Sequence, residues 1–206
     1  MFSRLAGSLV LLLGAGAPES GTALAFRVDA SASRVTIQVG KAGLFKFAGH
    51  EHEVSALGFS GDVVADPADL SRSSVHLTFE AAAVKVTGSG EPPGDMPKVQ
   101  EAMSGPRVLD VARFPEVRFD SRKVSGRRTA EGPWEIEVTG DFRLRAETRS
   151  LTLPMRVELV GDTLTATGRV TIRHSDFGLE PISVAGVVKV KNELLIEYRI
   201  VARRAP

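Results

Sequence analysis

From Phe26 onward, apolar residues recur at every second position and clusters of Gly, Pro, Asp and Ser separate the runs, which predicts half-buried β-strands joined by turns. Val35, Ile37 and Val39 alternate with Arg34, Thr36 and Gln38. Val54 to Val64 places Leu57, Phe59 and Val63 on one face, with Gly58 and Gly61 as bend points, and Asp66-Pro67-Ala68-Asp69 marks a turn. Val75, Leu77 and Phe79 form the next inward face. His76 falls on the opposite face with Thr78 and Glu80, hence toward solvent.

The alternation then stops. Gly88 to Gly94 carries two prolines and reads as a loop. Met96, Val99 and Met103, spaced by three and four, predict one short helix over Asp95 to Met103, with Asp95 as its N-cap. Its simplest role is a lid or plug on the end of a sheet. Strands resume after Phe114-Pro115 with Val117 and Phe119, and Gly126 to Gly132 reads as a polar turn. Trp134, Ile136, Val138, Phe142 and Leu144 share one parity, opposite Glu135, Glu137, Thr139, Arg143 and Arg145. The next strand has Leu151, Leu153, Met155, Val157 and Leu159 on its dry side. After the hairpin signal Gly161-Asp162 come Leu164, Ala166, Val170 and Ile172, and a last strand runs from Val187 to Ala202. About eight such strands with one polar face each favour closure into a single all-β antiparallel barrel, because closure removes exposed edges. A barrel of about eight strands holds packed side chains or one small ligand.

Composition narrows the setting. Arg4, the apolar run Leu9 to Leu13 and the triplet Ala23-Leu24-Ala25 have the layout of a cleavable secretory signal over residues 1–25. The expected mature chain, residues 26–206, is one domain with no transmembrane segment, located in the periplasm or secreted. The run Leu9 to Leu13 is far short of the ~20 residues a membrane-spanning helix needs. There is no cysteine, so stability must come from a core and not from disulfides. A formal net charge of +1, with basic and acidic residues interspersed, gives no footprint for nucleic acid.

The segment Lys41-Ala-Gly-Leu-Phe-Lys-Phe-Ala-Gly-His-Glu-His-Glu53 holds half of the chain's four histidines. On an extended segment His50 and His52 point to one side. If the strand through Val170 and Ile172 continues unbroken, His174 faces the interior as well. Three readings follow. Neutral imidazoles could bind zinc or copper at His50, His52 and His174 with a position left open. They could instead line a cavity mouth and orient a polar head group while an apolar tail lies inside, which is the preferred reading. Or they satisfy loop backbone near Gly49 and Asp176. Phe45 and Phe47 have the opposite parity, so both pairs face inward only if the backbone resets at Ala48-Gly49.

Enzymatic readings are thin. His174-Ser175-Asp176 supplies the residue types of a hydrolase triad, but adjacent strand residues point to opposite faces. Gly88-Ser89-Gly90 lacks the spacing of a nucleophile elbow. The expectation is a binding protein without catalytic residues or cofactor. Nothing fixes the oligomeric state, and a homodimer stays open.

Several ordered motifs resemble the YceI-like polyisoprenoid-binding family: Phe26-Arg-Val-Asp29, Ser33-Arg-Val35, Phe59-Ser-Gly61, Leu109 to Phe119 with its Phe-Pro-Glu-Val-Arg-Phe core, Val138-Thr-Gly-Asp-Phe142, and Ser175-Asp-Phe-Gly-Leu179. The resemblance implies an extended lipocalin-like barrel whose elongated apolar cavity holds a long-chain lipid or isoprenoid. With the dry faces, it makes Phe45, Phe47, Phe59, Phe119, Trp134, Phe142, Met155 and Phe177 the expected cavity or core residues. The Gly49-His50-Glu51-His52 element looks like a subgroup signature. Ala146 and Ser150 stand where relatives often have a glycine and a proline.

Overall fold

The structure, a computed structural model, describes residues 23–42, 52–88, 94–130, 132–180, 183–184 and 188–206. Period-two runs become strands, all paired antiparallel in one sheet: β1 (Leu24–Val28), β2 (Arg34–Ala42), β3 (His52–Ala56), β4 (Phe59–Ala65), β5 (Ser74–Glu80), β6 (Val84–Val86), β7 (Glu116–Arg128), β8 (Trp134–Leu144), β9 (Glu147–Val160), β10 (Thr163–Arg173), β11 (Ser183–Val184) and β12 (Val188–Arg204). The order β1-β4-β5-β7-β8-β9-β10-β12 closes on itself, because the end of β12 pairs with β1, Phe26 standing opposite Arg204. The result is a closed eight-stranded antiparallel barrel with, among the described residues, one short α-helix, and closure leaves the ring no free edge.

The first three ring positions are strands broken in two. Ala30–Ala32 forms a single 3-10 turn between β1 and β2, with the Asp29 carboxylate accepting from the Ala32 N–H at 3.2 Å. Beyond it, β2 still follows β12, while β3 and β6 pair only with this inner group. The break between β3 and β4 falls at Leu57-Gly58 and turns Leu57 outward, so this residue is 62% exposed and not on the inner face. A turn at Ala81–Ala83 separates β5 from β6.

Helix α1 (Met96–Ser104) sits against β6. It is held by Gln100, whose Nε2 donates to the Val84 carbonyl at 3.1 Å and whose Oε1 accepts from the Val86 N–H at 2.9 Å. A side-chain amide thus stands in for a strand neighbour. Asp95 precedes the helix as expected but makes no side-chain cap bond; its carboxylate instead lies 3.7 Å from Lys98 Nζ.

Two further departures have local causes. Gly126 is part of β7, opposite Ile136, and β7 runs to Arg128, so the turn before β8 is shorter than the glycine spacing predicts. A register shift between Ser121 and Lys123 lets Phe119 and Val124, of opposite parity, both be buried. Elsewhere the alternation holds: Ile136, Val138 and Leu144 are buried on β8, and Leu164, Ala166 and Ile172 on β10.

Candidate functional site

Inward residues of β4, β5, β7 to β10 and β12 do not fill the barrel. They border a cavity of about 160 Å³, lined by Val75, Leu77, Phe79, Phe119, Val124, Ile136, Val138, Phe142, Leu151, Leu153, Met155, Val157, Leu159, Ala166, Val170, Ile196 and their neighbours. An engineered apolar cavity of about 150 Å³ stays dry and binds small apolar molecules, so a space of this size and lining favours hydrocarbon over water.

Each end has its own closure. At one end the connection from Asp66 to Ser73 turns through a 3-10 segment, Leu70–Arg72, whose Leu70 packs on the Leu77, Phe119 and Val138 cluster. At the other, Phe177 and Leu179 pack with Leu144, Ile172 and Leu194. The Phe177 ring meets Phe142 edge-on at 5.4 Å.

Of the sequence-predicted residues, Phe119, Trp134, Phe142 and Met155 line this cavity. Trp134 carries the Arg128 guanidinium over its ring at 4.8 Å. Phe59 is buried and stacks at 4.9 Å on Phe79, whose ring is the one on the lining. Phe177 belongs to the end closure. Phe45, Phe47 and His50, and with them the expected reset at Gly49, lie outside the described residues. His52 opens β3 with its backbone paired to Val39.

His174 is buried but is not on the cavity lining. Its expected inward direction assumed an unbroken strand, whereas β10 ends at Arg173 and His174 begins a 3-10 turn closed by Gly178 at φ 62°. Its Nδ1 hydrogen-bonds the Lys191 carbonyl at 3.2 Å, beside the bulge between Val190 and Leu194 in β12. Burial pushes its pKa below the usual imidazole value, and the Lys191 and Asn192 backbone only partly offsets this. A neutral ring donating to a carbonyl is the backbone-satisfying role among the three readings.

The two residues that follow are also engaged. Ser175 exchanges hydrogen bonds with Asn192 at 3.0 Å, and Arg149 takes the Asp176 carbonyl at 2.9 Å. No relay links His174, Ser175 and Asp176. Among the described residues no three His, Cys, Asp or Glu side chains gather around a common point that could hold a metal. His76 is exposed on β5, as its parity predicts, and meets Asp120 at 2.9 Å.

Sequence reasoning missed the polar residues on the cavity. Asp66 and Ser73 line its closed end, and Tyr198 lines its wall with its hydroxyl donating to the Pro154 carbonyl at 2.7 Å. Tyr198 was detectable as an inward residue of β12. Asp66 read only as a turn residue, and nothing in an Asp-Pro turn shows what lies behind it. Among the described residues no helix is long and apolar enough to cross a membrane.

Known structures share this architecture. Burkholderia cenocepacia BcnA is 23% identical, matches 84% of this chain and 98% of its own, and superposes with a TM-score of 0.65. A polyisoprenoid binding domain from Saccharophagus degradans, implicated in plant cell wall breakdown, is 11% identical over 88% of this chain and 99% of its own, with a TM-score of 0.67. The Campylobacter jejuni YCEI protein is 12% identical over 74% and 84%, with a TM-score of 0.56. No protein of curated function matches. The YceI-like domain family model spans residues 26–202, from within β1 to near the end of β12 and including both cavity closures, and the chain belongs to that family.

Proposed function

We propose that this protein is an exported binding protein that sequesters or carries a long-chain isoprenoid or comparable amphiphilic lipid in the barrel, without catalysis or a cofactor. The observation that carries the reading is the lining: hydrocarbon side chains from seven ring strands face an unfilled space. Each CH₂ that leaves water contributes roughly 0.8 kcal/mol before ordering costs. Ten such groups supply about 8 kcal/mol and fifteen about 12 before those costs, the range from which micromolar affinity can remain. An apolar tail therefore needs no metal and few polar contacts to be held. Membership of the YceI-like family and the fold shared with a polyisoprenoid binding domain support the same reading. Periplasmic or secreted location rests on the signal-like layout of residues 1–25, and the family match begins at residue 26. The mass of the chain recovered from the periplasm or medium tests it.

The experiment is native mass spectrometry of gently extracted protein, with added prenols as a second arm. Wild type is expected to retain a lipid adduct. Ala166→Phe, which places a ring on the lining between the positions of Val157 and Ile200, is expected to lose the adduct at a cost of about 1–3 kcal/mol from overpacking. Equal loading of the two proteins, or no adduct on wild type in either arm, refutes the assignment.

A further inference from the structure

The ring has no edge strand, yet one of its ladders is incomplete. β9 and β10 pair from Val160 opposite Thr163 as far as Met155 opposite Gly168. Beyond that point, among the described residues, β9 pairs only with β8, down to Glu147, and β10 pairs only with β12, up to Arg173. The wall therefore carries a seam.

The sequence builds the interruption in. The Pro154 carbonyl faces β10, since it accepts from the Tyr198 hydroxyl, which reaches it past the bare backbone of Gly168. The nitrogen and the carbonyl of one strand residue address the same neighbour, so the Pro154 nitrogen faces β10 as well and has no hydrogen to give. Continuing the register would make Pro154 and Arg169 the next pair. That pair lacks a donor, and Tyr198 takes its acceptor. The apex of the seam is thus pinned, and below it nothing in the ladder joins the two strands.

Both margins belong to the cavity. Leu151 and Leu153 of β9 and Val170 of β10 line it and are only half-buried. At its wide end the seam meets the 3-10 turn His174–Phe177, where Arg149 Nε donates to the Asp176 carbonyl at 2.9 Å and Phe177 packs on Phe142. The two ends of the barrel are covered, one by Leu70 and the other by the cluster of Phe177 and Leu179. A chain that enters by an end has to displace packed side chains. One that enters between β9 and β10 breaks no ladder hydrogen bond.

The geometry points to the seam between β9 and β10 as a lateral portal through which an apolar chain enters and leaves the cavity, with the Arg149 bond to the Asp176 carbonyl as its latch. This rests on the cavity being the lipid site. Ser150, Thr152 and Thr171 are exposed beside the seam, so the hydrocarbon passes hydroxyls before it reaches the apolar margins.

The chain has no cysteine, so each introduced one is a single labelling site. A maleimide-linked polyethylene glycol is attached at Thr171→Cys beside the seam, at Ser60→Cys on β4 across the ring, or at Val160→Cys on the rim by the turn from Asp66 to Ser73, all three exposed positions. Farnesol binding is followed by stopped-flow fluorescence of Trp134, the only tryptophan, which lies on the lining. The label at Thr171 is expected to slow association and dissociation alike, each by about tenfold. Kd is expected to stay unchanged, because entry and exit share one path. The labels at Ser60 and Val160 are expected to leave both rates as in wild type, and Arg149→Ala is expected to raise both. Slowing at Thr171 no greater than at Ser60 or Val160 overturns the portal while leaving the barrel a lipid carrier. Unchanged rates in Arg149→Ala overturn the latch. Failure of unlabelled wild type to bind farnesol overturns the lipid reading and the portal with it.

Discussion

Tyr198→Phe removes one oxygen from the place where the barrel wall parts. The β9–β10 ladder runs from Val160 opposite Thr163 to Met155 opposite Gly168, and then the two strands separate. Tyr198 lies opposite Gly168 on β12, and its hydroxyl reaches across β10 to the Pro154 carbonyl on β9 at 2.7 Å. Only glycine leaves room for this reach, since a Cβ at position 168 would lie 2.3 Å from the Pro154 oxygen and 2.6 Å from the Tyr198 hydroxyl. Losing the hydroxyl leaves that carbonyl without its donor, which costs about 1–3 kcal/mol out of a total stability of about 5–15. For a domain of this size the midpoint falls by about 2–4 °C per kcal/mol. Denaturant titration is the assay: the midpoint falls and the slope stays constant. Gly168→Ala is expected to cost more than Tyr198→Phe. The two together cost less than their sum, because both break the same bond. Burial raises the Tyr198 pKa above its ordinary 10.0. Its contribution is therefore complete below about pH 10 and lost as the phenol ionises above it, so Tyr198→Phe should show a shallower alkaline decline. A change under about 0.5 kcal/mol, with the same alkaline slope as wild type, would refute the bridging role.

Two other outcomes follow from the geometry. The folded-state pKa of His174 lies below its ordinary 6.5, so its stability contribution is present above that value and lost as the unfolded chain takes up a proton the folded one refuses. Wild type should lose more thermal stability between pH 7.5 and 5 than His174→Gln does, and equal losses would show that burial does not disfavour the charged ring. Gln100→Ala removes both amide bonds to β6 at about 0.5–1.5 kcal/mol each. Hydrogen exchange at Val86 should accelerate while β8 amides stay unchanged, and an unaffected Val86 would show that α1 is held by other contacts.

The strands were legible because each has one face toward solvent and one toward the barrel, which writes period two into the chain for β7 through β12 almost without interruption. Where that reading failed, the backbone left the strand by a local device. Gly126 looked like turn punctuation but is a ladder residue. Leu57 kept inward parity until the break beside Gly58 turned it out. His174 lost its inward direction because β10 stops at Arg173, and the signal was present in Gly178, a left-handed cap four residues on. The cavity was not legible in the same sense. Alternation reveals which face is inward but not whether inward side chains meet. The same limit hid Asp66, which reads as a turn residue and is buried only because the rest of the barrel packs around that turn.

What keeps the interior open is then a question of where its largest rings lie. Phe119 is 2% exposed, and a Cβ at Gly140 would stand 2.8 Å from its Cζ. Tyr198 bears the same relation to Gly168 two strands further round the ring, with a Cβ there 2.8 Å from Cε2. In both cases the neighbouring strand omits a side chain and an aromatic ring lies over the bare backbone. Glycine is unfavourable inside a strand because it packs nothing, and the ring laid over it restores the missing contact. With any larger residue at 140 or 168 each ring would be driven into the lumen, where the cavity of about 160 Å³ now lies. The two glycines weaken the wall locally, and the aromatic rings that repair it occupy the space their missing side chains leave. Both choices make sense if the sequence is shaped to leave the barrel hollow, and neither has an advantage in a barrel filled with its own side chains.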